Sequence, residues 1–398
     1  MSRAPLVAFA DICESVRYGY TASASEEDVG PRFLRITDIV PDSIDWDSVP
    51  FCEIDDSDKK RFALEAGDIV VARTGATVGY AKLIRDSVDA VFASYLVRFR
   101  VDEKQADPGF VGRLVESFIY KDFVKSRVGG AAQPNANAQV LGSFQFRLPL
   151  RREQKRIADI LSAYDDLIEN NRRQMALLEE ATRQLYREWF VRFRFPGYEH
   201  TRITNGLPEE WEKKRLEEIA ELNRETLHNS FDGKIEYIDI SSVTPGIINE
   251  TRIYDFREAP SRARRVLQHG DIIWSCVRPN RKSHAVIWQP PSNLIASTGF
   301  VVITPKIVPT AFLYQAITTD GFVGYLENHA RGAAYPAVVA GDFERAEILV
   351  PRAPLVDAFN EQAEPLLSQT HTLRLQNQKL RAGRDLLLPR LMSGETTV

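Results

Sequence analysis

The sequence predicts an α+β protein made by tandem duplication, in which a mainly β domain followed by a long helix occurs twice and the two helices pack as an antiparallel coiled coil. Three observations predict this fold class. The motif Gly-Ala-Ala-x-Pro occurs at 130–134 and again at 332–336, further motifs recur in the same order, and both halves end in an apolar seam of helical spacing. A chain of 398 residues is also too long for one ordinary core.

The repeat keeps a nearly constant spacing of about 200 residues. Its other matching segments are FLRITDIV from Phe33 with YIDISSVT from Tyr237, EAGDIVVARTGATVGYAKLI from Glu65 with QHGDIIWSCVRPNRKSHAVI from Gln268, GFVGRL from Gly109 with GFVGYL from Gly321, and the stretches ending at Pro149 and Pro351. Matches in one consistent order indicate a duplication, and the period is far too long for a solenoid.

Each half begins with short alternating segments, which are separated by Gly, Pro, Asn and Asp. FLRITDIV, DIVVAR, YLVRFRV and FQFRLPL are examples from the first half. Such a pattern is typical of a mainly β domain with a few helices. We therefore expect a first domain at 1–149, a central long helix at 150–194, a second domain at 195–350 and a C-terminal long helix at 351–398.

Helix-forming residues dominate the segment after Pro149, which has no glycine or proline as far as Phe190. Its seam has 4-3-4-3 spacing and recurs in the second half, where we expect Pro389 to end the helix. The seam positions are Ile157, Leu161, Tyr164, Ile168, Asn171, Met175, Leu178, Thr182, Leu185 and Trp189, then Phe359, Ala363, Leu366, Thr370, Leu373, Asn377, Leu380, Arg384 and Leu387. Two amphipathic helices, each packed on its own domain, are the alternative, which the length of the seams disfavours.

An antiparallel pairing of the two seams has one register that brings Asn171 against Asn377. Each amide can then satisfy the other, and such a buried pair fixes register at some cost in stability. In this register Arg384 lies opposite Tyr164, where its guanidinium would have to reach outward over the ring.

Catalytic signatures are missing from the sequence. It has no Gly-rich phosphate loop with lysine, no nucleophile elbow, no H-E-x-x-H and no C-x-x-C, and its six histidines are scattered, so neither an enzyme nor a metal site is predicted. The three cysteines, Cys13, Cys52 and Cys276, favour a reducing compartment. No apolar run is long enough for a membrane helix.

Cation-rich loops occur at matching places in the two halves. The candidate DNA-binding residues are Lys59, Lys60, Arg61, Arg73, Thr74, Thr77, Arg127, Gln133, Asn135 and Asn137 in the first half, and Arg262, Arg264, Arg265, Arg278, Asn280, Arg281, Lys282, His284, Arg331 and Tyr335 in the second. Arg, Lys, Asn and Gln can contact base edges, and Lys, Arg and hydroxyls hold phosphates. A loose arginine cluster is usually only a solvated surface, but recurrence in a duplicated pair of domains favours DNA binding.

Along its whole length the chain resembles the specificity subunits of type I restriction–modification systems. The resemblance is carried by GDIVVARTGATVGYAK, by EQKRIADILSAYDDLIENNRRQMALLEEATRQLYREWFVRF and by the terminal LRAGRDLLLPRLMSGE. It implies two target-recognition domains that alternate with two antiparallel helical regions and read a bipartite, asymmetric DNA site. The second half departs from the Arg-Thr-Gly pattern of the first.

The resemblance further implies a non-catalytic cytoplasmic subunit that binds double-stranded DNA and carries two adenine methyltransferase subunits, with restriction and translocase subunits in the full complex. S-adenosylmethionine and ATP would then belong to those partners, and this chain would need no cofactor or membrane. Two alternatives remain: a repeat scaffold that binds other proteins instead of DNA, and the specificity subunit of a methyltransferase system without a nuclease. Salt-dependent binding to duplex DNA would distinguish a DNA-binding subunit from the first alternative, the protein scaffold.

Overall fold

A computed structural model describes residues 4–128 and 134–393, which form two compact units. The first unit contains the described residues up to Asn171 together with those from Gln376 onward, and the second is Arg172–Leu375. Each unit therefore combines one β-rich domain with segments of both long helices.

Short strands and helices build the β-rich domain of the first unit. Its strands are β1 (Leu6–Ala8), β2 (Cys13–Tyr18), β3 (Arg32–Leu34), β4 (Asp68–Ala72), β5 (Ala81–Leu83), β6 (Ala90–Phe92), β7 (Leu96–Val101) and β8 (Gln145–Arg147). Its helices are α1 (Ile36–Ile39), α2 (Asp56–Phe62), α3 (Pro108–Glu116), α4 (Phe118–Val128) and α5 (Ala138–Gly142), with 3-10 turns at Phe9–Ile12 and Gly75–Thr77. The chain then enters the long helix α6 (Arg151–Tyr186).

The β-rich domain of the second unit has more strands. They are β9 (Ile203–Thr204), β10 (Leu207–Pro208), β11 (Glu212–Arg215), β12 (Ala220–Leu222), β13 (Lys234–Ile238), β14 (Val243–Thr244), β15 (Ile247–Ile248), β16 (Arg252–Asp255), β17 (Ala263–Val266), β18 (Ile272–Ser275), β19 (His284–Val286), β20 (Leu294–Ser297), β21 (Phe300–Pro305) and β22 (Glu347–Val350). Its helices are α7 (Leu216–Ile219), α8 (Thr310–Ala316), α9 (Asp320–His329) and α10 (Ala340–Glu344), with 3-10 turns at Tyr198–His200, Ile240–Ser242, Phe256–Glu258 and Pro279–Arg281. The long helix α11 (Ala353–Ser393) follows.

Both domains contain the same central antiparallel sheet, in the order β2-β7-β4-β5 in the first and β12-β21-β18-β19 in the second. A further sheet in each domain contains a parallel pair, β3 with β6 and β13 with β20. In each domain an early strand also pairs with the last strand before the long helix, β1 with β8 and β11 with β22. The duplication visible in the sequence is therefore present in the topology.

The Gly-Asp turn before the innermost strand has the same structure in both domains. Gly67 and Gly270 have φ angles of 95° and 87°, in the left-handed region that favours glycine. The carboxylates of Asp68 and Asp271 are buried, and each accepts the backbone N–H three residues earlier. Because both positions are constrained, the dipeptide occurs in both copies.

The proposed match of GFVGRL with GFVGYL is wrong. GFVGRL lies in α3, the first helix after β7, whereas GFVGYL lies in α9, the second helix after β21. The counterpart of α3 is α8, where fully buried Phe312 takes the place of fully buried Phe110. The two hexapeptides differ in packing as well, because a Cβ at Gly112 would lie 2.9 Å from the Leu83 side chain, whereas Gly321 and Gly324 have open space around them.

The C-terminal long helix does not end at Pro389, although the sequence predicts that it does. A π-helical turn at Arg187–Val191 continues α6 within its predicted range, and α11 passes through both Pro365 and Pro389. Pro389 removes a single backbone N–H from the helix. Leu388 and Leu391 on either side of it are buried in the core of the first unit, and this burial stabilises the helix beyond the proline.

Within each unit the two long helices run antiparallel. In the first, Asn171 Nδ2 donates to Asn377 Oδ1 at 2.8 Å, and Asn377 Nδ2 donates to the carbonyl of Ile168 at 3.1 Å. In the second, the rings of Trp189 and Phe359 lie 6.1 Å apart. The predicted α+β duplication with antiparallel long helices is confirmed.

Arg384 does not reach over Tyr164 as expected. Its Nη1 donates to Asp165 Oδ1 at 2.6 Å, while Arg85 Nη2 donates to Asp165 Oδ2 at 2.8 Å and Arg113 forms a third ion pair with the same carboxylate. Asp165 lies next to the seam and not in it, so the heptad pattern of apolar residues could not identify it as the partner of Arg384. This ionic junction, Asp165 with its three arginines, joins the first β-rich domain to both long helices.

Candidate nucleic-acid interface

In the first unit, the loop after β4 pairs with the end of the Gly-Ala-Ala-x-Pro stretch. The N–H of Gly75 donates to the carbonyl of Pro134 at 2.9 Å, and the N–H of Ala136 donates to the carbonyl of Arg73 at 2.8 Å. Two cation-bearing loops that are far apart in the chain therefore form one structure, which we call the loop junction.

The second unit has the same loop junction. The N–H of Arg278 donates to the carbonyl of Pro336 at 2.7 Å, and the N–H of Val338 donates to the carbonyl of Cys276 at 2.9 Å. The proline of the repeated motif thus performs one task in both copies, since its carbonyl holds the loop that follows the innermost strand. That task explains why the motif occurs twice.

The arginine has a different backbone position in the two junctions. By these hydrogen bonds Cys276 occupies the place of Arg73, and Arg278 occupies the place of Gly75. Gly75 has a φ of 74° and Arg278 a φ of 52°, so both are left-handed. For a residue other than glycine this conformation costs about 1–2 kcal/mol, so the second junction keeps an arginine at a strained position.

In the first junction the Arg73 guanidinium lies over the ring of Tyr18, with its central carbon 4.9 Å from the ring centroid. Its Nη2 lies 3.4 Å from Asn135 Oδ1, and its Nε is buried without an acceptor among the described residues. The Tyr18 hydroxyl accepts the N–H of Ala138 at 2.9 Å, which fixes the ring. The side chain is therefore held in one plane.

An aromatic ring also supports the arginine of the second junction. The Arg278 guanidinium lies 4.6 Å from the ring centroid of Tyr335, and its Nη2 donates to the carbonyl of Ala334 at 3.4 Å. Within residues 4–128 and 134–393, neither Arg73 nor Arg278 forms an ion pair with a carboxylate. Both charges are consequently available to an anionic partner.

Most of the other candidate residues lie at the protein surface. Those that are exposed or partly exposed are Lys59, Lys60, Arg61, Thr74, Thr77 and Arg127 in the first unit, and Arg262, Arg264, Arg265, Asn280, Arg281 and Arg331 in the second. Several of them also have internal contacts. Lys59 Nζ lies 2.8 Å from Asp89, and Arg265 Nη1 donates to the Thr226 hydroxyl at 3.3 Å. The guanidinium groups of Arg61, Arg127 and Arg264 lie over the rings of Phe62, Phe123 and Phe256. These contacts hold the side chains without neutralising the charges of the arginines.

Two candidates are occupied within the fold. The side chain of Asn137 caps α5 by accepting the N–H of Val140 at 2.8 Å, and Lys282 Nζ forms a 2.8 Å ion pair with Asp320. Gln133 lies outside the described residues, as do the first residues of its Gly-Ala-Ala-x-Pro loop.

His284 has a position that argues against contact with DNA. Its side chain is buried, its Nδ1 lies 3.1 Å from the Tyr314 hydroxyl, and it lines a cavity of about 720 Å³ inside the second unit. Burial, together with the nearby charges of Lys282 and Arg183, lowers the pKa of His284 to about 4. A neutral, enclosed imidazole does not attract phosphate.

Two aromatic residues of the first junction were missed by sequence reasoning. Tyr18 ends β2, and Tyr95, which is 60% exposed, accepts the Arg73 N–H on its carbonyl at 3.0 Å. In the sequence both belong to alternating segments that indicate only strands. Their significance depends on β2, β4 and β7 being neighbours, which no short-range pattern reveals.

Among the described residues, no group of three or more His, Cys, Asp or Glu side chains could hold a metal ion. None of the described helices is both long and apolar enough to cross a membrane.

Comparison with known proteins gives consistent matches. The family model for the type I restriction modification DNA specificity domain matches residues 8–180 and 208–355. The chain is 25% identical over 301 residues to the type I restriction enzyme MjaIX specificity subunit of Methanocaldococcus jannaschii, which covers 72% of this chain and 68% of that protein. It is 23% identical over 405 residues to the HindI specificity subunit of Haemophilus influenzae, with 84% and 87% covered.

Among solved structures, the chain is similar to the S subunit of a type I restriction–modification system from M. genitalium. The TM-score is 0.59 and the alignment covers 98% of this chain and 97% of that one. The sequence identity is only 14%, so the likeness concerns the fold.

Proposed function

The chain belongs to the type I restriction–modification DNA specificity family, and from that premise we propose that it reads a bipartite, asymmetric site in duplex DNA, one half-site with each unit. One observation supports this most directly. The same loop junction occurs in both units, yet the loop it holds differs, with GATVGY following Thr74 in one and PNRKSH following Arg278 in the other. A shared scaffold with different reading residues suits two unlike half-sites.

As a specificity subunit, the chain is not the catalytic component of such a system. We propose that it recruits two adenine methyltransferase subunits and, in the full complex, ATP-dependent restriction subunits in the cytoplasm. S-adenosylmethionine and ATP would then be bound by those partners. Exposed charges at the start of α6, Arg151, Arg152, Lys155 and Arg156, offer a polar surface of the kind that such docking needs.

Methylome sequencing of cells that express the chain with its methyltransferase tests this proposal. We expect an adenine motif in two parts, in which Arg73→Ala changes one part and Arg278→Ala the other. Binding to duplex DNA should weaken as salt rises, because phosphate contacts release counterions. A continuous motif, or salt-independent binding, would contradict the proposal and favour a protein scaffold.

A further inference from the structure

We propose that each unit reads a guanine through an arginine held on a tyrosine ring, Arg73 on Tyr18 in the first unit and Arg278 on Tyr335 in the second. This inference rests on the proposed function and deepens it, since it names the base and the residues that recognise it. It also assigns roles to Tyr18 and Tyr335 as positioning residues.

The arginine–tyrosine pairs of the two units have the same geometry although their chain positions differ. The two arginines are not equivalent in the repeat, because Arg278 occupies the place of Gly75. The two tyrosines are not equivalent either, since Tyr18 ends β2 and Tyr335 lies within the Gly-Ala-Ala-x-Pro motif. Even so, each guanidinium lies 4.6–4.9 Å from a ring centroid at the same loop junction. Inheritance from a common domain does not account for this pairing.

An arginine needs different support for a phosphate contact than for a base contact. A phosphate is attracted by charge alone, which a mobile surface side chain supplies. A guanine presents O6 and N7 side by side, so the plane of the guanidinium fork must be correct. Stacking on a ring fixes that plane and leaves the nitrogen donors at the edge.

The backbone of Arg278 also favours a specific role for its side chain. Its φ of 52° is strained for arginine, and the equivalent residue in the first unit is a glycine. Strain of this kind persists where the position of a side chain matters for function. A loop that needed only positive charge could have kept glycine there, because Arg281 follows within the same turn.

Selection of binding sites by the full-length chain from a randomised duplex library tests the proposal. We expect one guanine per half-site that depends on the stacked arginine. Arg73→Lys keeps the charge but loses the fork, so preference for that guanine should fall roughly 5- to 150-fold, corresponding to about 1–3 kcal/mol, with the other positions unchanged. Arg278→Lys should do the same in the other half-site.

The tyrosines provide a second readout. Tyr335→Phe keeps the ring and should keep the guanine preference, whereas Tyr18→Leu and Tyr335→Leu should reduce it about 2- to 5-fold. Arg278→Gly relieves the strained backbone, so the protein should melt no earlier than the parent while losing the guanine.

Arg32→Lys is the matched control. The Arg32 guanidinium lies 4.1 Å from the Phe51 ring, but it donates to the carbonyls of Asp47 and Val49 and is committed within the fold. Its replacement should leave the selected sequence unchanged. If Arg73→Lys and Arg278→Lys weaken binding to all sequences equally, or if neither half-site contains a dependent guanine, the inference is overturned while the proposed function stands. If the parent chain selects no DNA, the proposed function itself fails.

Discussion

Removing the carboxylate of Asp165 should destabilise the first unit strongly. Its side chain is 9% exposed and is bonded to Arg85, Arg113 and Arg384. Arg113 is the critical partner, because its side chain is 7% exposed and its remaining carboxylate partner, Glu116, lies 3.3 Å away. Burial lowers the pKa of Arg113, and the charges of Glu116 and Asp165 oppose that shift.

The magnitude follows from these exposures. Leaving one buried charge short of its partner costs about 3–5 kcal/mol, whereas the partly exposed Arg85 and Arg384 each add at most about 1 kcal/mol. Asp165→Asn should therefore lower the stability of the first unit by about 3–5 kcal/mol. Asp166→Asn is the control, because Asp166 is 70% exposed and lies 3.8 Å from Arg85, and it should cost less than about 1 kcal/mol.

Hydrogen exchange read by mass spectrometry measures the loss unit by unit. Amides of α3 and of the first turns of α6 should exchange faster in Asp165→Asn, while those of β18 and β21 keep their rates. A loss of stability below about 1 kcal/mol would mean that water replaces the carboxylate. The ionic junction would then not hold the first β-rich domain to the long helices.

Three further expectations concern the helices and the buried histidine. Asn171→Leu alone should lower the free energy of unfolding by about 1–3 kcal/mol, because the side-chain oxygen of Asn377 loses its hydrogen-bond donor. Replacing both asparagines by leucine should lower it less, which chemical denaturation would measure. An equal loss in both variants would contradict a coupled pair. Phe359→Ala should lower the stability of the second unit by about 3–5 kcal/mol. Hydrogen exchange that shows a loss of stability in the first unit alone would contradict this expectation. His284 has a pKa of about 4 in the folded protein against an ordinary value of 6.5. Its neutral form therefore contributes fully to the stability of the fold above pH 6.5, and this stabilisation is lost as the pH falls toward 4. His284→Gln should flatten that slope in urea midpoints measured between pH 7.5 and 5, and an unchanged slope would assign the pH dependence to other groups.

Much of the fold could be predicted because its signals are local or strictly periodic. The left-handed glycine at Gly67 and Gly270, the alternating strands and the two seams each leave a pattern within about ten residues. The side-by-side placement of Asn171 and Asn377 also follows from periodicity, because a register with one polar layer has few alternatives.

The remaining features depend on neighbours that are distant in sequence. Asp165 lies off the seam, and its partners Arg85 and Arg113 come from a loop and a helix whose packing no periodic pattern describes. His284 looked like one more cation in a basic loop, but it begins β19 and faces inward because strand alternation places it there. Arg73 and Arg278 were both candidates from their matching loops, but their different backbone positions at the loop junction could not be predicted, because they depend on pairing with a segment about 60 residues away.

The last helix has a consequence for how the protein is made. Leu388 and Leu391 complete a core whose other buried members lie between Phe9 and Leu161, so the first β-rich domain is finished by residues that are synthesised long after the rest of it. About 200 residues separate Asn171 from Gln376, and at roughly 5–20 residues per second their synthesis takes about 10–40 s. During that interval the nascent first domain lacks the apolar cover that Leu388 and Leu391 provide. A chain released before Leu388 should keep this core open, so the first β-rich domain depends on the C-terminal long helix for its folding.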